Sequence, residues 1–281
     1  MEYLVTYGWA ILIIAVVLVV LFSLGVFNPT TYLARQSPGA CQVYRPFGVD
    51  TVQQINLQGF CGTSIPKFVA FFNGKNSEID IPNQSAALIQ PSGLTITAWI
   101  YTNTSQESQA VLSKASTVND IGYVFPETTT GWNTIAFSLF AGGSWHTITA
   151  TYPAPDAWHF VAATYNGEVM DIYIDGSLAS STPQSGALSY DYDNLTIGNN
   201  MGSGWFDGKA SNVQLYNSSL GANEIRTLYI DGIGAPPLEL KNLVGWWPLN
   251  GDVSDYSGNG NSGVSNNIIF SEDWSNGYSI P

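Results

Sequence analysis

Glu78-Ile79-Asp80-Ile81-Pro82 is the stretch of this chain whose residue types come closest to acid–base chemistry. Side chains two apart on a β-strand share a face, so Glu78, Asp80 and position 82 project the same way. Position 82 is proline, so no third acid continues that face. Glu168 and Asp171 fall on opposite faces of their strand and do not replace it. His146 and His159 are the two histidines; they complete no convincing Ser-His-Asp or Cys-His set, and His159 sits in a core-like strand. The expectation is a protein that is not an enzyme.

Other residues fit binding better than catalysis. Asp252, Asp255, Asn259 and Asn261 make an oxygen-rich, glycine-containing loop. Such oxygens suit calcium, or they satisfy the backbone of their own turn. Calcium is the one cofactor the sequence raises. Of nine tryptophans, Trp132, Trp145 and Trp205 lie in Gly/Ser/Thr-rich stretches and are candidates to stack on sugar rings. The remaining aromatics fit a core or contacts between subunits. Cys41 and Cys61 are the only cysteines, either one disulfide worth roughly 3 kcal/mol or two buried thiols. Asn83, Asn103, Asn194 and Asn217 head glycosylation sequons. A net charge of −13 with eight Lys plus Arg argues against nucleic acid as a partner.

The elements that must position these residues read as short strands. Leu94 to Tyr101 alternates, with Ile96, Ala98 and Ile100 on one face and Thr97, Trp99 and Tyr101 on the other. Asn166-Gly167 joins the strands Trp158–Thr164 and Val169–Ile174, and Asp175-Gly176 marks the next turn. Leu195–Gly198 and Ala210–Tyr216 continue the series. Ala222–Tyr229 reads as a helix, with Gly221 at its N-cap and Glu224 at N3.

In order, Phe72-Asn73-Gly74, Leu94 to Ile100, Trp158 to Tyr165, Ile172 to Gly176, Phe206-Asp207-Gly208 and Val213 to Tyr216 resemble the laminin-G-like, concanavalin A-like sandwich over about residues 68–230. Leu243 to Leu249 and Asp255 to Asn261 look like the opening strand and loop of that domain type, placed last. They imply a circularly permuted jelly roll in which residues 243–270 supply the closing strands. Ser211 and Asn212 stand where the family often has an acidic pair. The resemblance also allows calcium at the 252–261 loop.

Leu4 to Phe27 is apolar almost without break, and Glu2 is the only charged residue before Arg35. As a helix it would rise about 36 Å, enough to cross a bilayer. Exposing about 20 such side chains to water would cost tens of kcal/mol. A signal peptide, a plain membrane anchor and a polymerising helix are the alternatives. Met1-Glu2-Tyr3-Leu4 leading through Thr6 to Trp9 and Ala10 resembles the start of archaeal type IV pilin-like proteins. That resemblance gives Met1, Glu2, Tyr3, Leu4 and Trp9 a role in assembly, with Glu2 pairing with a terminal amine.

The expected fold class is therefore a long N-terminal hydrophobic α-helix followed by an all-β sandwich with one short helix. Residues 1–28 would form the helix, 29–66 a disulfide-tied neck and 67–281 the sandwich. The expected function is a pilin: a surface filament subunit that polymerises with itself, sits in the membrane before assembly and displays an adhesive, glycan-binding domain outside the cell. The alternative is a membrane-anchored lectin-like adhesin that does not polymerise.

Overall fold

The computed structural model describes residues 41–44, 52–55, 65–82, 93–102, 109–115, 121–128, 134–153, 155–189, 193–200 and 204–281. Met1, Glu2, Tyr3, Leu4, Trp9, Cys61, Asn83, Asn103 and Trp132 lie outside these residues, and of Cys41 only the backbone is described.

β1 (Cys41–Tyr44) and β2 (Val52–Ile55) pair as an antiparallel two-stranded sheet. The sandwich begins with β3 (Val69–Asn73), β4 (Glu78–Ile81), β5 (Leu94–Thr102), β6 (Ala110–Ala115) and β7 (Gly122–Thr128). β8 (Thr134–Ala141), β9 (Ser144–Thr151), β10 (Trp158–Tyr165), β11 (Val169–Ile174) and β12 (Ser177–Pro183) follow. Then come β13 (Leu195–Ile197), the short pair β14 (Asn199–Asn200) and β15 (Gly204–Trp205), and the long β16 (Asp207–Tyr216). After α1 (Ala222–Ile230) the chain adds β17 (Leu243–Trp247), β18 (Val264–Asn266) and β19 (Ile269–Ser271).

Two sheets result. One has eight strands, in the order β12-β11-β10-β5-β16-β3-β19, with β17 also on β16. The other has seven, in the order β18-β4-β13-β6-β7-β8-β9. The three late strands are divided between them: β17 and β19 join the first sheet and β18 joins the second.

This description corrects the expected fold class. Among the described residues the protein is an all-β sandwich with one short helix, and no helix there is long and apolar enough to cross a membrane. The helix expected over residues 1–28 lies outside the described residues.

β5 shows why the sheets stack as they do. Ile96, Ala98 and Ile100 enter the core between the sheets. Trp99 and Tyr101 enter a second cluster on the opposite face of the same strand, with Trp158, Phe160, Tyr216, Leu228 of α1 and Trp274. The turns are equally local in origin. Ile174 pairs with Ser177 across Asp175-Gly176, whose φ values of 49° and 72° meet the demand of a two-residue hairpin loop for positive φ. Asn166 Oδ1 accepts the Glu168 and Val169 N–H groups and so closes the preceding turn. At the start of α1, Gly221 N–H donates to Glu224 at 2.7 Å.

β17 is packed as tightly as any earlier strand. Trp247 is fully buried in the inter-sheet core and donates from Nε1 to Asn261 O at 2.9 Å. Its ring lies where a side chain at Gly245 would have to go. Trp247→Ala is expected to lower stability by about 3–5 kcal/mol, measured by denaturant unfolding. A loss below about 1 kcal/mol would show that β17 is not integral to the fold.

Candidate functional site

The outer faces of the two sheets differ. The eight-stranded sheet is covered by the second aromatic cluster, to which α1 and residues 233–278 contribute. The outer face of the seven-stranded sheet is polar. Registers place Asp80, Thr196, Ser113, Val124, Ser138 and Thr147 in one row across β4, β13, β6, β7, β8 and β9. In the neighbouring rows stand Glu127, Ala136 and Thr149 on one side and Phe140 and Trp145 on the other. The middle of the face is buried: Ser113 and Val124 are 2% exposed and Ser138 is 8% exposed. Its flanks reach solvent, with Glu78, Asp80 and Thr196 half-buried at one side and Thr147, Thr149 and Thr151 exposed at the other.

Asparagine side chains hold the carboxylates of this face. Asn199 Nδ2 donates to Glu78 Oε2 at 2.7 Å, and Asn266 Nδ2 donates to Glu78 Oε1 at 3.3 Å. Asn194 Nδ2 donates to Asp80 Oδ2 at 3.0 Å. Asn200 Nδ2 donates to Glu127 Oε1 at 3.1 Å, while Ser138 Oγ donates to Glu127 Oε2 at 3.3 Å. The neighbours Asn199 and Asn200 thus reach carboxylates on β4 and β7, with β13 and β6 between those strands. Gly198 makes this bend possible. It has φ +92° and carries no side chain against the Phe72 ring, so the chain can turn from β13 into β14 over the core.

Glu78 and Asp80 do share a face, with Ile79 and Ile81 buried behind them, and Pro82 follows the strand. Trp145 is half-buried and meets Phe140 edge to face at 6.0 Å. Trp205 is half-buried in β15, paired with Asn199. Between the sheets, a cavity of about 10 Å3 lined by residues such as Gln109, Pro126 and Phe206 has room for about one water molecule, so it takes no sugar.

The other candidates are held in structural roles. His159 Nδ1 lies 2.9 Å from Asp175 Oδ2, and the other oxygen of Asp175 accepts the Phe160 N–H, so this pair clamps the hairpin turn. The 252–261 loop docks on β17. Asp255 is buried and accepts from the N–H groups of Trp246, Ser257 and Asn261 and from Ser257 Oγ, at 2.8–3.0 Å. Asp252 accepts from Ser254 N–H and Tyr256 O–H. Asn259 and Asn261 donate their amide N–H groups to Val244 O. The carboxylate oxygens that a calcium ion would use are thus engaged by protein donors. Among the described residues no group of three or more His, Cys, Asp or Glu could hold a metal. Of the sequons, Asn194 is exposed and Asn217 half-buried.

Glu127, Asn199, Asn200 and Ser138 were not singled out from the sequence. The alternation Ile135-Phe137-Leu139, with Ser138 pointing the other way, carried the signal for one of them; the asparagine contacts are long-range. Burial pushes the Glu127 carboxyl above its ordinary value of 4.5, and the Ser138 hydrogen bond opposes this only in part. The folded state therefore holds this proton more tightly than the unfolded chain. Its stabilising contribution is full below the unfolded pKa and is lost as pH rises through the folded one. Thermal melts are expected to show stability falling across that window in the native protein. The Glu127→Gln variant should lack this component and gain stability at neutral pH; an unchanged pH profile would contradict the assignment.

Residues 73–226 match the family model of the concanavalin A-like lectin/glucanases superfamily. No curated protein matches the chain. Among solved structures, the chain is similar to a putative carbohydrate binding protein from Bacteroides ovatus at 15% identity and TM-score 0.55, covering 78% of this chain and 66% of that one, just under two thirds of its length. It is also similar to a heptameric SAP-like pentraxin from Limulus polyphemus at 16% identity and TM-score 0.54, covering 74% of this chain and 96% of that one. At such identities the likeness to these structures is one of fold. With more than half its length in the family match and a two-sheet sandwich to fit it, the chain belongs to the concanavalin A-like lectin/glucanases superfamily.

Proposed function

We propose that this protein is a carbohydrate-binding, lectin-like module that presents the outer face of its seven-stranded sheet to glycans outside the cell. The observation that carries the reading is the polar face itself. Its middle is buried, its half-buried flank is ordered by amide–carboxylate pairs and the Trp145–Phe140 aromatic edge stands beside it. Carboxylates and amides fixed by one another can meet sugar hydroxyls without first losing side-chain freedom, and an aromatic edge suits the apolar face of a pyranose ring. Membership of the superfamily supports the same class of ligand. A chain rich in Ser, Thr and Asn with few charges suits a secreted or surface location.

Hydrolysis is not part of the proposal: Glu78 and Asp80 are held by the amides of Asn199, Asn266 and Asn194, an arrangement suited to binding. Nor is polymerisation. The assembly role expected of residues 1–28 draws no support from the described structure or from the matched relatives.

Glycan-array binding by the full chain tests the reading. Trp145→Ala is expected to weaken the best ligand about tenfold, or about 1.4 kcal/mol, with little change in Tm. Binding that survives both Trp145→Ala and Asp80→Asn would move the site off this face. An absence of glycan binding would remove the reading.

A further inference from the structure

The charges on this face select among glycans. Among the described residues its charged side chains are Glu78, Asp80 and Glu127, all acidic. None of the described Lys and Arg presents its side chain on the outer side of these strands. Arg35 and Arg45 precede the sandwich in sequence. Lys67 pairs with Glu272 at 3.2 Å. Lys75 sits in the turn between β3 and β4. Lys114 points away from the face: it is 1% exposed and its Nζ donates to Asp193 O at 2.7 Å. Lys209 belongs to the other sheet, where its Nζ lies 5.2 Å from the Tyr101 ring centroid and donates to Asp273 O. Arg226 is on α1 and Lys241 lies between α1 and β17. The connections 83–92, 103–108, 116–120, 129–133, 190–192 and 201–203 contain no basic residue in the sequence.

Hydrogen bonding points the same way. The amides of Asn194, Asn199, Asn200 and Asn266 direct N–H groups at the carboxylates. Glu78 and Glu127 already accept at both oxygens and Asp80 at Oδ2, so a ligand meets the remaining lone pairs of these same acceptors. A neutral sugar brings O–H donors, and each O–H to carboxylate bond is of the strong, charge-assisted kind. A sulfate or uronate brings more acceptors and a like charge, with no Lys or Arg side chain on the outer side of these strands among the described residues.

We infer that the ligand of this face is an uncharged, hydroxyl-rich glycan, and that sulfated and uronic acid glycans are rejected. The inference rests on the proposed glycan-binding function. A ladder of like charges gives repulsion that salt screens over about 8 Å at physiological ionic strength, so the discrimination should be largest at low salt.

The test is binding of the full chain to immobilised neutral polysaccharides (β-glucan, mannan and xylan) and to anionic ones (heparin, alginate and hyaluronan), at low and physiological salt. Neutral ligands are expected to bind at least about tenfold more tightly than anionic ones, with the gap narrowing as salt rises. Glu78→Gln and Asp80→Asn should narrow it further by admitting anionic ligands. Salt-sensitive binding to heparin or alginate that exceeds the neutral set would overturn the inference while leaving the glycan-binding function standing. Binding to neither class would overturn both.

Discussion

β5 and β16 lie at the centre of the eight-stranded sheet, and both faces of that region are buried. Toward the other sheet they present Ile96, Ala98, Ile100, Ala210, Val213 and Leu215. Away from it they present Trp99, Tyr101 and Tyr216 to a second layer. Buried aromatic and aliphatic side chains are each worth roughly 1.5–3 kcal/mol of transfer free energy, so this double burial concentrates much of the sandwich's stability in one sheet. It also draws α1 and the last ten residues onto the outer side, where Trp274 O accepts from Trp158 Nε1 at 2.8 Å and Gly277 O accepts from Trp158 N–H at 3.0 Å.

The consequence for function lies on the opposite side of the molecule. With its apolar demand met between the sheets, the seven-stranded sheet can keep a polar outer face. Its core side follows the strict alternation of Ile79, Ile81, Leu195, Ile197, Phe137 and Leu139. The residues between them, Asp80, Thr196 and Ser138, carry a carboxylate and hydroxyls. The β13–β14 bend at Gly198 then sets Asn199 and Asn200 among the carboxylates, and this costs little because each amide N–H gains a charged acceptor. Glu127 is the exception to easy solvation: burial at this face works against its ionised form.

Much of the sandwich was legible. The two faces of Leu94–Tyr101 were assigned correctly because period-2 alternation holds even when both faces are buried. The Asn166-Gly167 and Asp175-Gly176 turns and the α1 start at Gly221 were legible because their determinants lie within four residues of one another. Glu78 and Asp80 were placed on one face by the same parity. Legibility failed where partners are distant in sequence. Asn199 meets Glu78 across 121 positions and Asn200 meets Glu127 across 73. The Asp252–Asn261 loop was ambiguous for another reason. Its oxygens suit either an ion or N–H donors, and only folding against β17 showed that Trp246 and Asn261 N–H groups face Asp255.

The sequence by itself determined strand parity, turn positions, the acidic balance and the lack of a further acid after Asp80, because these are properties of neighbouring residues or of composition. Tertiary structure decided which sheet face would be sealed and which left polar, which asparagine would hold which carboxylate, and that residues 243–271 would be shared between both sheets. Those outcomes depend on register between strands far apart in the chain, and register is set by how the whole set of apolar faces packs together, not by any single segment.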